Sequence, residues 1–484
     1  MPDPAPPIIS VLVPVFKGDK FLKETLQSLV DQSFPHWEAL ILLNGTRDLS
    51  QEIAGQFARQ DSRFRLESLS GSINVADTLN YGVAKAHTDF IAILHQDDRC
   101  LPDRLARQVE TFQKNPDIHI LTGNAQEIDV NGTSLSDLNL PAEPVQFFWQ
   151  LLFSNPCKPS TIAFRRSVFP SQTPVFSVES PAYTYEFLTR SFPTHSIHCL
   201  PGAPLIQYRI HPQQASRVNS KERTHSISQI SRNRLISLNP ELQNFSAEVH
   251  QLLQKHFHHP PEDHHPSFAS IALWIQPVLK AAQSLLPPSA HPFFTTHIAT
   301  PWVQWQKEVV QLLPKFRLSI YYTGDNHALE EMMQELNKLE YPHSHLHIHW
   351  KIPRWHSAKN ISPVLQSTPS PFPAEQTHYD IHLTEGCRFS RFWLLDLASY
   401  LHAHPDINGG YGPVRYSRKP VGPAKHVYRF HRPTPLPHGN WIELPDAMRL
   451  LIRCRNNLSL QPWQRSLHNT LWAVFHSSRY LYRP

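Results

Sequence analysis

Cysteine is scarce in this sequence of 484 residues, and its five copies are far apart. They form no Cys-x-x-Cys pair and their number is odd, which argues against a disulfide framework or a structural zinc site. Such usage indicates a reducing compartment. The cysteines are Cys100, Cys157, Cys199, Cys387 and Cys454.

Long apolar runs and a strong charge of one sign are also missing. No segment approaches the roughly 20 apolar residues that a helix needs to cross a bilayer. The N-terminus, MPDPAPPIISVLVPVF, lacks the basic region of a secretory signal. A formal net charge of +5 is small for this length and does not favour a nucleic-acid partner. We therefore expect a soluble or peripheral protein in the cytoplasm.

Glycine, with 15 residues, is sparse, whereas proline, with 45, is abundant. The prolines gather in residues 255–300 and 350–375, which predicts linkers or long loops there. The chain is also too long for one ordinary core. We expect an N-terminal domain over residues 1–220, a helical connecting region rich in Pro and His over 221–314, a second domain over 315–445 and a basic amphipathic tail over 446–484.

Buried strands alternate with amphipathic helices in the first hundred residues. IISVLVPV, WEALILLNG and FIAIL have the composition of strands, and FLKETLQSLVDQ and VADTLNYGVAKA have helical periodicity. This alternation predicts an α/β fold with a parallel sheet. Ligands of such sheets bind beyond the carboxyl ends of the strands, where Asn44, Asp97 and Asp98 fall. We expect these three side chains to converge.

Two adjacent carboxylates, Asp97 and Asp98, follow the third strand. Because like charges repel, the pair predicts a cation, and an oxygen-rich site of this kind suits Mg²⁺ or Mn²⁺ bound together with phosphate oxygens. The alternative is that the pair merely caps the helix that follows.

Six segments, spread over residues 8 to about 216, resemble family 2 glycosyltransferases and come in that family's order. The family's members are inverting enzymes with the GT-A fold that use nucleotide sugars. The segments are SVLVPVFKGDKFLKETLQSLVDQSFPHWEALIL, NGTRD, LNYGVAKA, AILHQDDRCLPDRLARQVETFQKNPDI, NPCKPSTIAFRRSVF and LPGAPLIQYRIHPQQAS.

This resemblance implies a nucleoside diphosphate sugar as donor and a set of residues that hold it. A base pocket would be shaped by Pro14 and Phe16, and Asn44 and Asn80 would lie among the donor-binding residues. The metal, Mn²⁺ or Mg²⁺, would lie at the family's Asp-x-Asp position. That position is His95-Gln96-Asp97 here, with Asp97 as the main ligand and Asp98 beside it. His211, in YRIHPQQ, falls where family members place a histidine near the metal or the diphosphate; alternatively it is an ordinary loop histidine.

Three departures from the family pattern concern the acidic residues. Leu43-Asn44 replaces an acidic pair, and His95 replaces the first Asp-x-Asp carboxylate. Where YEFLTR is aligned, the family's Glu-Asp pair, which holds the catalytic base, falls on Tyr183 and Thr184. An inverting transfer needs a base to deprotonate the acceptor hydroxyl. Glu179 and Glu186 are the nearby substitutes; we favour Glu179, because Glu186 matches a structural position.

The second half of the chain contains a weaker copy of the first strands. HYDIHLTEGCRFSRFWLLDLASYLHAHPDI aligns without gaps with the segment that carries Asp97 and Asp98. Gly386 and Cys387 then replace the two aspartates, and Glu385 is the remaining nearby acid. We expect a degenerate second GT-A-like domain; the alternative is a chance likeness between two strand–helix segments.

The tail from Ala447 onward is basic and contains no acidic residue. Its arginines alternate with apolar side chains such as Trp463, Trp472 and Phe475, so the tail is a candidate for peripheral contact with the inner face of a membrane. The alternative is a C-terminal helix that packs on the second domain.

Two functions are consistent with these features. The first is a metal-assisted glycosyltransferase that acts on a glycan, a lipid-linked or a surface-polysaccharide acceptor. The second is a catalytically impaired relative that binds a sugar nucleotide or a glycan. Retention of Asp97, Asp98 and the segment RIHPQQ favours the first, and loss of the Glu-Asp pair favours the second.

Overall fold

A computed structural model of the chain describes the N-terminal part nearly completely and the C-terminal part mainly as strands. The described residues are 6–45, 48–69, 71, 73–170, 173–218, 220–262, 268–321, 336, 346–351, 379–384, 387–388, 394, 397–398, 407–416, 427–431, 440–443 and 450–452. Glu385, Gly386 and nearly all of the tail lie outside these residues.

Nineteen strands and twelve α-helices occur among the described residues. The strands are β1 Ile9–Val15, β2 Trp37–Asn44, β3 Phe64–Leu69, β4 Phe90–Ile93, β5 Arg99–Cys100, β6 Ile120–Gly123, β7 Ala125–Ile128, β8 Ser134–Leu138, β9 Ala163–Arg165, β10 Ile197–Leu200, β11 Ile206–Arg209, β12 Phe316–Tyr321, β13 Leu346–Lys351, β14 Tyr379–Thr384, β15 Cys387–Arg388, β16 Ile407–Tyr416, β17 Val427–His431, β18 Asn440–Glu443 and β19 Leu450–Ile452. The helices are α1 Leu22–Val30, α2 Ser50–Gln60, α3 Val75–Lys85, α4 Arg104–Lys114, α5 Pro144–Leu151, α6 Tyr183–Ser191, α7 Ala215–Val218, α8 Ser220–Leu238, α9 Ala247–His256, α10 Ala269–Gln283, α11 His291–Phe294 and α12 Thr300–Leu312.

The N-terminal part is built on a seven-stranded sheet with the order β10-β6-β9-β4-β1-β2-β3. The pairs β1–β2, β1–β4 and β2–β3 are parallel, and β9 alone runs antiparallel to its neighbours. The central strands β1 and β2 are mostly apolar and almost entirely buried, because both faces of the sheet are covered. The expected α/β class, with its parallel-rich sheet, is confirmed.

A second sheet, with the order β5-β11-β7-β8, sits where the site forms. Because β11 pairs antiparallel with β5, with Ile206 opposite Cys100 and Gln207 opposite Arg99, the residues after Gln207 run back alongside Asp98 and Asp97. This register explains how a histidine near position 210 reaches the end of β4.

Contacts divide the chain into two compact units. The first comprises Met1–Glu262 and Trp274–Lys307, and the second comprises Asp263–Leu273 and Glu308–Pro484. The boundaries predicted for the connecting region and the tail stay predictions. Within the tail, the described residues Leu450–Ile452 form β19.

The second unit contains an eight-stranded sheet in which β12 pairs in parallel with both β13 and β14. β17 lies antiparallel between β14 and β16. β16 then pairs in parallel with β18 and β19, and β19 pairs antiparallel with β15.

Two findings concern membranes and thiols. Within the described ranges, no helix is both long enough and apolar enough to span a bilayer. Cys100, Cys157 and Cys199, the cysteines whose side chains are described, are all free thiols. Burial raises the pKa of the Cys157 thiol to about 12, so this cysteine is an inert core residue.

A buried histidine joins α8 to α9. His250 Nδ1 lies 3.2 Å from Ser228 Oγ, and its Nε2 lies 2.7 Å from Ser231 Oγ. Burial, with a smaller contribution from the Arg232 charge, lowers the pKa of His250 to about 4. The ring is therefore neutral in the folded protein at neutral pH.

This histidine is expected to make the first unit less stable in mild acid. Below pH 6.5 the unfolded chain protonates His250 while the folded chain does not, so stability falls as the pH decreases from 6.5 towards 4. At pH 5 the loss from this group is about 2 kcal/mol. Urea unfolding at pH 7 and pH 5 measures it, with His225→Gln, an exposed histidine on α8, as the control. A His250→Gln variant with the wild-type pH dependence would contradict the assignment.

Candidate active site

The carboxyl ends of β1 and β4 are joined by the side chain of Gln96. Its Oε1 accepts a hydrogen bond from the Phe16 backbone N–H at 2.7 Å, and its Nε2 donates to the Phe16 carbonyl at 2.9 Å. The amide passes so close to Gly18 that a Cβ there would lie 2.5 Å from Gln96 Oε1, so a larger residue would displace the Gln96 side chain. The Phe16 ring is left 44% exposed and Pro14 is half-buried, so both are available to a ligand at this edge.

Asp97 and His211 are in direct contact. His211 Nε2 lies 2.9 Å from Asp97 Oδ2, and the two side chains are 9% and 14% exposed. The imidazole packs on the Phe21 ring, with 5.1 Å between the ring centroids. Its other nitrogen, Nδ1, is buried without a hydrogen-bond partner among the described residues.

Asp98 is fully buried and has a different task from its neighbour. Its Oδ2 accepts a hydrogen bond from the Ser160 hydroxyl, and its Oδ1 accepts one from the Arg209 backbone N–H at 3.0 Å. Burial, reinforced by the Asp97 charge, raises the pKa of Asp98 well above its usual range. The resemblance also implies that Asp98 is a donor-binding residue; this stays a prediction, and both of its oxygens already bond within the protein.

The helix-capping alternative for this pair is wrong. β5 intervenes after Asp98, and α4 begins only at Arg104 with Asp103 as its N-terminal cap residue. The two carboxylates therefore belong to the strand end and not to the helix.

His95 forms a pair with Tyr183, one of the two residues that align with the family's missing Glu-Asp pair. His95 Nε2 and the Tyr183 hydroxyl are hydrogen-bonded at 3.0 Å, and the His95 backbone N–H donates to Ser160 Oγ. Burial lowers the pKa of His95 despite the opposing Asp97 charge, and burial raises the pKa of Tyr183. The pair is neutral at physiological pH. Thr184, the second aligned position, is buried and accepts a hydrogen bond from Asn155 Nδ2.

Arg209 stabilises the backbone around Asp97 through its guanidinium group. Its buried guanidinium donates from Nε to the Asp97 carbonyl at 3.0 Å and from Nη1 to the Val130 carbonyl at 3.1 Å. Its Nη2 donates to Glu24 Oε2 at 2.7 Å. Arg209 holds the backbone that presents Asp97. The sequence gives no sign of this role, because the hydrogen-bond partners of Arg209 are distant along the chain.

Asn44 and Asn80 use their amides to fasten loops. The Asn44 side chain donates to the Ile73 carbonyl and accepts from the Ile73 N–H at 2.8 Å. Asn80 does the same to Phe176, with distances of 2.8 and 2.9 Å. Both amides are engaged within the protein, and their contribution to donor binding stays a prediction.

The two candidate bases differ in their surroundings. Glu186, on α6, is bound by Arg190 at 2.7 Å one helical turn later, which is a structural ion pair. Glu179 lies exposed on the loop before α6 and makes no ion pair or hydrogen bond with any described residue. Asn80 fixes this loop through Phe176, and Asn74 lies 3.5 Å from the Val178 carbonyl.

The side chains at the end of β4 fit a divalent cation. One ligand atom from each of His95, Asp97 and Asp98 lies within 4.8 Å of the others. Since Asp98 is committed to Ser160 and Arg209, Asp97 is the most accessible carboxylate of this group, and His211 Nε2 lies 2.9 Å from its Oδ2. A carboxylate beside an imidazole is a donor set suited to a metal ion.

Comparisons with known proteins agree with this picture. Residues 10–170 match the model of the family described as glycosyl transferase family 2. An uncharacterised glycosyltransferase of Haemophilus influenzae is 24% identical over 238 residues, which is 47% of this chain and 72% of that protein. TuaG of Bacillus subtilis, named for teichuronic acid biosynthesis, is 28% identical over 24% of this chain and 46% of its own length. EpsH of the same organism, also named a glycosyltransferase, is 26% identical over 42% of this chain and 61% of its own length.

Two solved structures are also similar. The Staphylococcus aureus protein TarS (residues 1–349), in complex with UDP-GlcNAc, has a TM-score of 0.41 and 15% identity, over 62% of this chain and 90% of that chain. The Pyrobaculum calidifontis mannosyltransferase PcManGT, in complex with GDP-Man and Mn²⁺, has a TM-score of 0.40 and 16% identity, over 63% and 86%.

The sheet, the site and the relatives together show an N-terminal α/β unit that is similar to glycosyltransferases. Over residues 10–170 the chain is similar to glycosyl transferase family 2.

Proposed function

We propose that the N-terminal unit transfers a sugar from a nucleoside diphosphate sugar to a hydroxyl acceptor, with inversion and with the help of Mn²⁺ or Mg²⁺. The observation that carries the proposal is the contact between Asp97 and His211 at the carboxyl ends of the strands. Because Mg²⁺ takes almost only oxygen ligands, the histidine favours Mn²⁺ of the two. A bound cation would neutralise charge on the leaving diphosphate.

The acceptor class rests on weaker support. The name of the relative TuaG refers to teichuronic acid biosynthesis, which favours a glycan, a lipid-linked or a surface-polysaccharide acceptor. With such an acceptor, the proposed site of action is the cytoplasmic face of the membrane. The tail predicted to contact that surface lies almost entirely outside the described residues.

The chain's own residues divide the work. Arg209 and Gln96 hold the strand ends that present Asp97 and Phe16. Asn80 holds the loop that carries Glu179, which would take the proton from the acceptor hydroxyl as that oxygen attacks the anomeric carbon.

A second function, binding without catalysis, is favoured by one specific observation. The two positions aligned with the family's Glu-Asp pair are Tyr183, which is bonded to His95, and Thr184, which is bonded to Asn155. Neither can act as a carboxylate base. A protein of this second type would bind the sugar nucleotide and leave it intact.

Isothermal titration calorimetry with UDP, GDP, CDP and ADP, each with Mn²⁺ or with EDTA, tests the proposal. We expect one nucleoside diphosphate to bind, and to bind at least about tenfold more weakly in EDTA, because the cation links Asp97 to the phosphates. No binding of any of the four under either condition would contradict the proposal. Hydrolysis of the matching nucleotide sugar then favours the enzyme, and binding without hydrolysis or transfer favours the second function.

We also propose that the second unit is a degenerate copy of the first. The support is topological: β12, β13 and β14 pair as β1, β2 and β4 do, and β17 lies between β14 and β16 as β9 lies between β4 and β6. β19 pairs antiparallel with β15 as β11 does with β5. A chance likeness of one strand–helix segment does not account for a repeated strand order. The aligned Gly386 and Cys387 provide no carboxylate, so a structural or binding role suits this unit.

A further inference from the structure

The basic side chains around the site are mostly engaged within the protein. Arg209 gives its guanidinium to backbone carbonyls and to Glu24. Lys158 Nζ lies 3.3 Å from Glu127 Oε1 and 4.1 Å from the centre of the Tyr208 ring. Neither cation is free to meet a phosphate group without breaking these contacts.

Arg223, in the first turn of α8, is in a different situation. One turn later on the same helix, Ser226 Oγ lies 3.0 Å from Ser180 Oγ, so this helix face adjoins the loop that carries Glu179. Further along, Ser231 donates to the Leu152 carbonyl and fixes the helix. Arg223 is partly buried and makes no hydrogen bond or ion pair with any described residue.

The charge of Arg223 also acts on the centre of the site. It helps to lower the pKa of His95, after burial, and it is the charged group with the largest opposing effect on the raised pKa of Tyr183. Ser180, which Ser226 contacts, comes three residues before Tyr183, and Tyr183 is hydrogen-bonded to His95, so this face of α8 adjoins the His95–Tyr183 pair. An arginine held in such a place without an anion is ready to bind one.

We propose that Arg223 binds the diphosphate group of the donor. The proposal rests on the function proposed above, and it adds a cation from outside the family-matched residues 10–170. A guanidinium matches two phosphate oxygens with parallel N–H donors, which a metal ion bound at Asp97 leaves available. His95 replaces a carboxylate at the family's Asp-x-Asp position, so the group at the end of β4 carries two carboxylates, those of Asp97 and the buried Asp98.

Calorimetry with the nucleoside diphosphate that the wild type binds, in the presence of Mn²⁺, tests the assignment on the full chain. Arg223→Gln is expected to lower the affinity roughly tenfold or more, since it removes charge-assisted hydrogen bonds. Lys221→Gln, an exposed residue on the same helix, removes the same charge and is expected to change the affinity less than about twofold. Arg223→Lys keeps the positive charge but lacks the parallel N–H donors of the guanidinium. Its loss of affinity for the nucleoside diphosphate should therefore lie between those of the other two variants.

The outcomes separate the two proposals. If the wild type binds no nucleoside diphosphate, the proposed function fails. If the wild type binds one and Arg223→Gln binds it equally well, with an unchanged unfolding temperature, the assignment of Arg223 is overturned. Should Arg223→Gln not fold, Arg223→Lys decides: an affinity equal to that of the wild type rejects a bidentate contact, and a loss of several-fold supports it.

Discussion

Asp97→Asn is expected to abolish metal-dependent donor binding and to lower transfer on the order of 10³-fold or more. Asp97 is the accessible carboxylate at the end of β4, and it is held against His211 by the pairing of β11 with β5. An amide of the same size is a poor ligand for Mn²⁺, and the cation's stabilisation of the leaving diphosphate, which is worth several kcal/mol, is lost with it. Calorimetry with and without Mn²⁺, and turnover of the selected nucleotide sugar, measure both effects.

The adjacent aspartate provides the matched control. Asp98→Asn keeps an acceptor for the Arg209 N–H, and the Ser160 hydroxyl can turn to accept from the new amide, so manganese affinity should change only a few-fold. Asp98→Ala leaves both donors unsatisfied in a buried place and should cost about 2–4 kcal/mol of folding free energy. If Asp97→Asn retains the manganese affinity while Asp98→Asn loses it, the roles assigned to the two residues are wrong.

This division of roles shows what the sequence could predict and what it could not. The strand–helix alternation locates the carboxyl ends of β1, β2 and β4, because apolar runs and helical periodicity are local signals. Which of two adjacent aspartates is buried depends on Ser160 and Arg209, which are 62 and 111 residues away from Asp98. No local pattern specifies those partners.

The amide side chains illustrate the same limit. Asn44 was predicted to lie at the strand end, and it does, as the last residue of β2. Its bonds to the Ile73 backbone, 29 residues later, depend on how the intervening segment returns to the sheet. The hydrogen bond between His95 and Tyr183, which are 88 residues apart, could not be predicted from the sequence for the same reason. The same holds for the effect of the Arg223 charge on Tyr183.

The second large effect concerns Glu179, the proposed catalytic base. Glu179→Gln is expected to reduce transfer by about 10²–10⁴-fold while leaving the affinity for the nucleoside diphosphate unchanged. Glu179 is an exposed carboxylate on a loop that Asn80 fastens at Phe176 and that Ser226 contacts at Ser180. Glutamine keeps the size of the side chain and removes its ability to take a proton. Initial rates of transfer, with the affinity measured in parallel, separate the chemical step from binding.

Glu186→Gln is the control for this experiment, because Glu186 already serves as the partner of Arg190 on α6. Losing an ion pair of this i,i+4 kind costs about 0.3–0.5 kcal/mol of stability and should leave transfer nearly unchanged. Equal transfer by the wild type and Glu179→Gln would remove Glu179 from the mechanism. A large loss in Glu186→Gln alone would instead make Glu186 the base, and Arg190 would then have to release it during the reaction.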